Sequence, residues 1–136
     1  MKRALLPLLV ALALLAIAAT GWWLKRPAGA LDVACSDPVA GCAFSHAGAP
    51  ARVRFSMVPV PLEAFDLAVE VTDVQRVSAE FQMIGMDMGF NRYDLRPRNG
   101  AFASRITLPV CVSNRHDWIL YLTLDGQRYA VPFSSR

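Results

Sequence analysis

Hydrophobic positions follow two different patterns along this chain of 136 residues. From Ala4 to Leu24 there are 21 residues without a charge, ALLPLLVALALLAIAATGWWL. As a helix this run spans about 32 Å, enough to cover a bilayer core of about 30 Å. After residue 50 the apolar positions instead alternate with polar ones at a period of two, the mark of half-buried strands. Val53, Phe55 and Met57 alternate with Arg52, Arg54 and Ser56. Phe65, Leu67, Val69 and Val71 alternate with Asp66, Ala68, Glu70 and Thr72, and Val77, Ala79, Phe81 and Met83 with Ser78, Glu80 and Gln82. Shorter strands are predicted through 91–95 and 102–108. Asp125-Gly126 suits a type I′ turn, in which both central residues need positive φ. That turn pairs Leu122 with Tyr129, Leu120 with Val131 and Trp118 with Phe133 on one apolar face, and Tyr121 with Ala130 and Thr123 with Arg128 on the other.

No stretch after residue 31 sustains a 3.6-residue stripe, and turn signals recur about every ten residues. The fold class expected is therefore all-β: an immunoglobulin-like antiparallel β-sandwich of about seven strands, preceded by one N-terminal transmembrane helix. Residues 1–26 form the anchor, 27–30 (Pro-Ala-Gly-Ala) a linker, and 31–136 the domain. Val58-Pro59-Val60-Pro61 is excluded from any central strand, because two prolines remove ladder donors.

The membrane reading has a competitor. Ala16-Ile17-Ala18 is an acceptable cleavage site, as in a secretory signal. Trp22 and Trp23 at the interface, followed at once by Lys25-Arg26, favour a retained anchor. Lys2, Arg3 and the terminal amine weakly favour a cytoplasmic N-terminus, so either reading exports the domain. In a Gram-negative bacterium that means a single-pass inner-membrane protein with its C-terminal domain in the periplasm.

Charge changes the picture once the anchor is set aside. The formal net charge of +3 comes from Lys2, Arg3, Lys25 and Arg26; the rest carries 10 Arg and no Lys against 11 Asp and Glu. A nearly neutral body with dispersed arginines gives no reason to expect phosphate-backbone binding, so nucleic acid is not an expected partner.

Three cysteines cannot all pair. Cys35 and Cys42 bracket a turn-prone loop with Pro38 and Gly41, and in an oxidising compartment they are the natural couple. Their spacing is not that of a thioredoxin-type dithiol, which makes them a structural staple. Cys111 is left over, either as a buried free thiol or as a ligand. In Met83-Ile84-Gly85-Met86-Asp87-Met88-Gly89, three of the five methionines fall within six residues. Thioethers are soft ligands that select Cu(I), and Met86 and Met88 share a face if the segment is extended, with Gly85 and Gly89 allowing a bulge that brings Met83 to the same face. The alternative is that the methionines fill an irregular core edge. Cys111 and His116 sit at the ends of a strand-to-strand connection, so a thiolate and an imidazole could share a metal; His116 beside Asp117 and Trp118 could equally satisfy a turn. His46, within Ser45-His46-Ala47-Gly48, reads as a solvated loop residue. No HExxH, G-x-S-x-G or phosphate-cradling loop is present, so an enzyme is not expected.

The segment from Phe81 to Tyr93, FQMIGMDMGFNRY, followed by Leu108-Pro109-Val110-Cys111-Val112 and His116-Asp117-Trp118, resembles the small membrane-anchored immunoglobulin-like proteins of the FixH-like and YtkA-like kind. Their shared pattern is a Met-Gly-Met-x-Met-Gly segment before a strand. The resemblance covers residues 50–133, nominates Met83, Met86 and Met88, and does not extend to Cys35, Cys42 or Cys111. It implies a copper-handling or cytochrome oxidase assembly setting. The expectation is a periplasmic domain that binds Cu(I) transiently as a metallochaperone and supports copper delivery to, or assembly of, a respiratory oxidase. The alternative is a metal-free assembly scaffold whose methionine segment is a docking surface, a role that flexible thioethers also suit.

Overall fold

A computed structural model describes residues 2–24, 29–86, 91–110 and 115–136; within the N-terminal helix the described side chains are Pro7 and 9–23. The chain is one α-helix followed by a nine-stranded β domain. Helix α1 (Lys2–Leu24) exposes apolar side chains on every face, Leu9, Leu12, Leu15 and Ile17 among them. Its Thr20 hydroxyl donates back to the carbonyls of Ala16 and Ile17 at 2.8 and 3.0 Å, which satisfies a polar group within an apolar helix. Among the described residues no helix is long and apolar enough to cross a membrane; the uncharged run of 4–24 extends beyond the side chains described.

The strands are β1 (Leu31–Asp32), β2 (Cys42–His46), β3 (Ala49–Phe55), β4 (Ala64–Glu70), β5 (Val77–Met83), β6 (Arg92–Arg98), β7 (Ala101–Thr107), β8 (Asp117–Leu124) and β9 (Gln127–Ser134). They form one curled sheet in the order β1-β9-β8-β5-β6-β7-β4-β3-β2. The curl occurs at β6. Its first half pairs with β5, Val77 opposite Leu95, and its second half pairs with β7, Arg96 opposite Ala103. The two halves of the sheet then face each other across the core. Phe55 of β3 meets Phe133 of β9 edge-on at 5.1 Å, and Phe65 of β4 meets Phe81 of β5 at 6.2 Å.

Period-two alternation carries through into burial. In β5 every inward residue, Val77, Ala79, Phe81 and Met83, is buried. The β8–β9 register matches the sequence reading at each pair, from Trp118–Phe133 to Thr123–Arg128, with Asp125 and Gly126 at φ 44° and 93°. The same turn closes two hairpins that the pattern of alternation did not reveal: Ala47-Gly48 between β2 and β3, and Asn99-Gly100 between β6 and β7, all four residues at positive φ.

Three expectations need correction. Among the described residues there are nine strands, not about seven, because β1 and β2 are too short or too polar to show alternation. Met57 does not continue the inward row of Val53 and Phe55: β3 ends at Phe55, and Ser56 turns away, its N–H donating to the Asp66 carbonyl and its hydroxyl accepting from the Asp66 N–H, both at 2.9 Å. His46 is not a solvated loop residue. It ends β2 half-buried, with Nδ1 2.8 Å from the Tyr129 hydroxyl, while Phe44 packs on the same Tyr129 ring at 4.8 Å. Burial raises the Tyr129 phenol above its ordinary pKa.

Asp125 does more than form a turn. Its carboxylate accepts the backbone N–H groups of Gln75 and Arg76 at 2.8–3.1 Å, clamping the 71–76 connection to the β8–β9 turn. The Gln75 bond first, then the Arg76 bond, lowers its pKa below the ordinary 3.8. A lowered carboxylate pKa adds stability above the ordinary value and loses it as pH falls through the folded value. Asp125→Asn is therefore expected to be less stable than the parent by a constant margin between about pH 5 and 8, a margin that closes below pH 3.8. Urea melts across that range check it, and a margin that widens in acid would contradict it.

Candidate functional site

Strand direction sorts the connections into two poles. The turns at 47–48, 99–100 and 125–126 and the start of β1 lie at one; Leu31 is on the rung of Tyr129, near the beginning of β9. The ends of β3, β5 and β9 and the starts of β2, β4, β6 and β8 lie at the other. Every residue nominated from sequence that the structure describes sits at this second pole.

Cys35 and Cys42 are joined in a disulfide, Cα–Cα 5.3 Å. The enclosed loop is built for it. Asp37 accepts the N–H groups of Val39 and Ala40 through Oδ1 at 2.9 and 3.3 Å, and its carbonyl accepts from Gly41. Gly41 sits at φ +96°, with the Arg52 guanidinium against it, so a side chain there is strained. The loop is locked onto β3 by Phe55 N–H donating to the Pro38 carbonyl at 2.8 Å.

The methionine segment divides. Met83 is 3% exposed and belongs to the core, opposite Trp118. The chain then turns at Ile84-Gly85, with Gly85 at φ +80° and Met86 N–H donating to the Met83 carbonyl at 3.3 Å. Met86 emerges 37% exposed. The two thioethers thus start from opposite environments, one inside and one at the surface. Met88 and Cys111 lie outside the described residues.

The structure joins two segments that the sequence treated separately. Ile84 N–H donates to the Asp117 carbonyl at 3.1 Å, and the Arg115 guanidinium donates to the Ile84 carbonyl at 2.9 Å. The methionine turn therefore lies beside His116. His116 is exposed; its carbonyl accepts the Ser135 N–H at 2.9 Å, and its Nδ1 lies 3.5 Å from the Ser135 hydroxyl. That hydroxyl accepts from Trp118 Nε1 at 3.2 Å, inside the pole. Among the described residues no group of three His, Cys, Asp or Glu side chains is arranged to hold a metal ion.

Sequence reasoning missed the pole's apolar surface. Of the exposed large hydrophobic residues described in the β domain, all but Leu31 gather here: Met57, Leu62, Ile84, Met86 and Val110. Backbone bonds join the connections here: Leu62 N–H to the Leu108 carbonyl and Arg136 N–H to the Pro59 carbonyl, both 2.9 Å. Leu62 is 70% exposed at φ +65°, a backbone region that costs a non-glycine residue about 1 kcal/mol or more. The Leu62 side chain thus faces solvent from a strained backbone position. At the same pole, a 390 Å³ depression is lined by Cys35, Pro38, Pro59, Ile84, Trp118 and Phe133, among others. The Val58–Pro61 and Pro109-Val110 stretches signalled only non-strand in the sequence; that they converge required the strand pairing. Compared with family models, curated proteins and solved structures, the chain matches none of them.

Proposed function

We propose that this chain is a single-pass inner-membrane protein whose immunoglobulin-like sandwich, exported to the periplasm, docks through the methionine-bearing apolar pole onto a membrane respiratory complex such as an oxidase and supports its assembly, without catalysis of its own. The observation that carries this reading is the segregation of Met57, Leu62, Ile84, Met86 and Val110 to one pole. Exposed apolar residues collected at one end of a domain support an interaction surface there. The uncharged run of 4–24 and the all-round apolar exposure of α1 support the anchor. The two facing halves of the sheet support the sandwich. The resemblance to FixH-like and YtkA-like proteins supports the oxidase setting.

The test is site-specific photocrosslinking in native membranes, with the reactive group at Leu62, at Val110 or, as control, at Thr72 near the opposite pole. Adducts that carry a haem-containing oxidase subunit are expected from the first two sites only. Leu62→Asn with Val110→Ser, which leaves the buried residues untouched and suits the left-handed position, is expected to weaken the association at least tenfold, as loss of central apolar contacts does. Adducts from Thr72 alone would move the interface elsewhere.

A second reading, Cu(I) held transiently at the same pole, is favoured by the exposure of Met86 two residues before Met88 and by His116 lying beside the methionine turn. With Met83 in the core, the site rests on Met86 and Met88 with Cys111 or His116. Neutral thioethers prefer Cu(I) to Zn(II) and bind without releasing protons. Anaerobic titration against a bicinchoninate competitor should therefore give an affinity flat between about pH 5 and 8 if methionines act alone, and one falling in acid if Cys111 or His116 ligates. Unchanged affinity in Met86→Ile with Met88→Ile would remove this reading and leave the docking function intact.

A further inference from the structure

The outer face of β3, β4, β7 and β6 carries arginines in register. Arg54, Ala68, Ala103 and Arg96 form one cross-strand row. Arg52 opposite Glu70, and Arg98 opposite Ala101, belong to the next row toward the pole where β1 begins. Arg105 opposite Asp66 lies on the other side. With Arg92 and Asp94, which lie on the same side of β6, six of the domain's 10 arginines share this face with three carboxylates, while the 27–136 body as a whole is close to neutral. Charge is segregated rather than balanced.

Arg52 and Arg105 stand opposite carboxylates, whereas Arg54, Arg96 and Arg98 do not. Among the described residues the ion pair within 4 Å is Arg128–Glu80, on a different face. Arg54, Arg96 and Arg98 stand opposite alanines, which offer them nothing. Between the arginine rows lies a 730 Å³ trough lined by Ala68, Ala101 and Ala103, by Arg52, Arg54 and Arg98, and by one carboxylate, Glu70. The strand spacing of about 4.8 Å puts Arg54 and Arg96 about 14 Å apart at the backbone, wider than one phosphate and suited to several adjacent anionic groups.

The trough opens toward the turn Asn99-Gly100 and toward Val71 and Thr72, the pole from which β1 begins. Residues 25–30 between α1 and β1 reach about 20 Å at most. Arginines within a Debye length of an anionic leaflet are drawn to it. Resting on the anchored reading above, we propose that this face docks on the anionic phosphate headgroups of the bilayer that holds α1. Docking then fixes the tilt of the domain and keeps the apolar pole turned away from its own membrane surface, free for a protein partner.

The experiment uses the full chain in nanodiscs of phosphatidylcholine, alone or with about one third phosphatidylglycerol, and a gadolinium-chelate headgroup lipid as relaxation probe. Broadening of the Thr72 and Gly100 amide signals is expected in anionic discs, with Ile84 and Val110 spared. It should fall to the neutral-disc level when salt shortens the Debye length to about 3 Å. Arg54→Gln, Arg96→Gln, Arg98→Gln should abolish the difference between the discs; its near-UV spectrum confirms the fold, and a single Arg96→Gln giving a partial loss serves if the triple variant misfolds. Equal broadening in neutral discs, broadening of Ile84 and Val110 instead, or an undiminished effect in the variants would each overturn the proposal. Tight binding of polyglutamate with no response to phosphatidylglycerol would overturn it in favour of an acidic protein partner. A chain that fails to stay in the disc after alkaline wash would instead refute the anchor.

Discussion

Phe81→Ala is expected to cost about 3–5 kcal/mol, the range for deleting a fully buried ring whose surroundings cannot collapse. Phe81 has no exposed surface and stands where the two halves of the sheet meet. Its ring makes edge contacts with Phe65 at 6.2 Å, Phe133 at 6.0 Å and Tyr93 at 6.0 Å, so the cavity opens between rigid aromatics from β4, β9 and β6. Domains of this size are stable by about 5–15 kcal/mol, so one substitution removes a large fraction. Chemical denaturation of the full chain in detergent measures it. A loss below about 1.5 kcal/mol, the size of a volume-conserving swap, would mean that the halves do not pack face to face. Phe81 also follows Glu80 and leads into Met83, so the loosening should reach the methionine turn.

Reduction of Cys35–Cys42, or replacement of both by serine, is expected to cost about 2–3 kcal/mol in the chain-entropy model for so short a loop. The effect on the pole should be disproportionate. Cys35 and Pro38 line the depression beside Ile84 and Trp118, and the loop reaches β3 through Pro38. The reduced protein should therefore lose association with its partner while keeping its β-sheet circular dichroism. Full association after reduction would show that the disulfide serves stability alone. Alkylation in denaturant labels one thiol before reduction and three after it if Cys111 is free.

The difference between legible and illegible parts of this protein follows the range of the interactions. Alternation along β5 fixed which residues face inward, because a strand's side chains point to opposite sides in strict order. Asp125-Gly126 fixed the β8–β9 register because a two-residue turn with both φ positive leaves one pairing. Asn99-Gly100 carries the same signal between β6 and β7, but the short alternation on either side of it did not reveal that hairpin. The Cys35–Cys42 pair was legible because few residues separate its members.

What the sequence could not determine is whatever depends on contacts between distant segments. That β5 pairs with β8, setting Ile84 beside Asp117 and the methionine turn beside His116, has no local signature. Nor does the curl at β6, which turns alternating strands into two facing halves, since a strand's own pattern says which face is buried but not what covers it. Met83 illustrates the consequence: the same three-methionine segment places one thioether in the core and another at the surface, and only the point where β5 ends decides between them. His46 was polar and flanked by small residues in the sequence, and a tyrosine 83 positions away gave it its partner. Local stereochemistry determined the alternating strands, the 125–126 turn and the staple; long-range pairing alone placed β1 and β2 and brought scattered exposed residues, Leu62 and Val110 among them, to one pole.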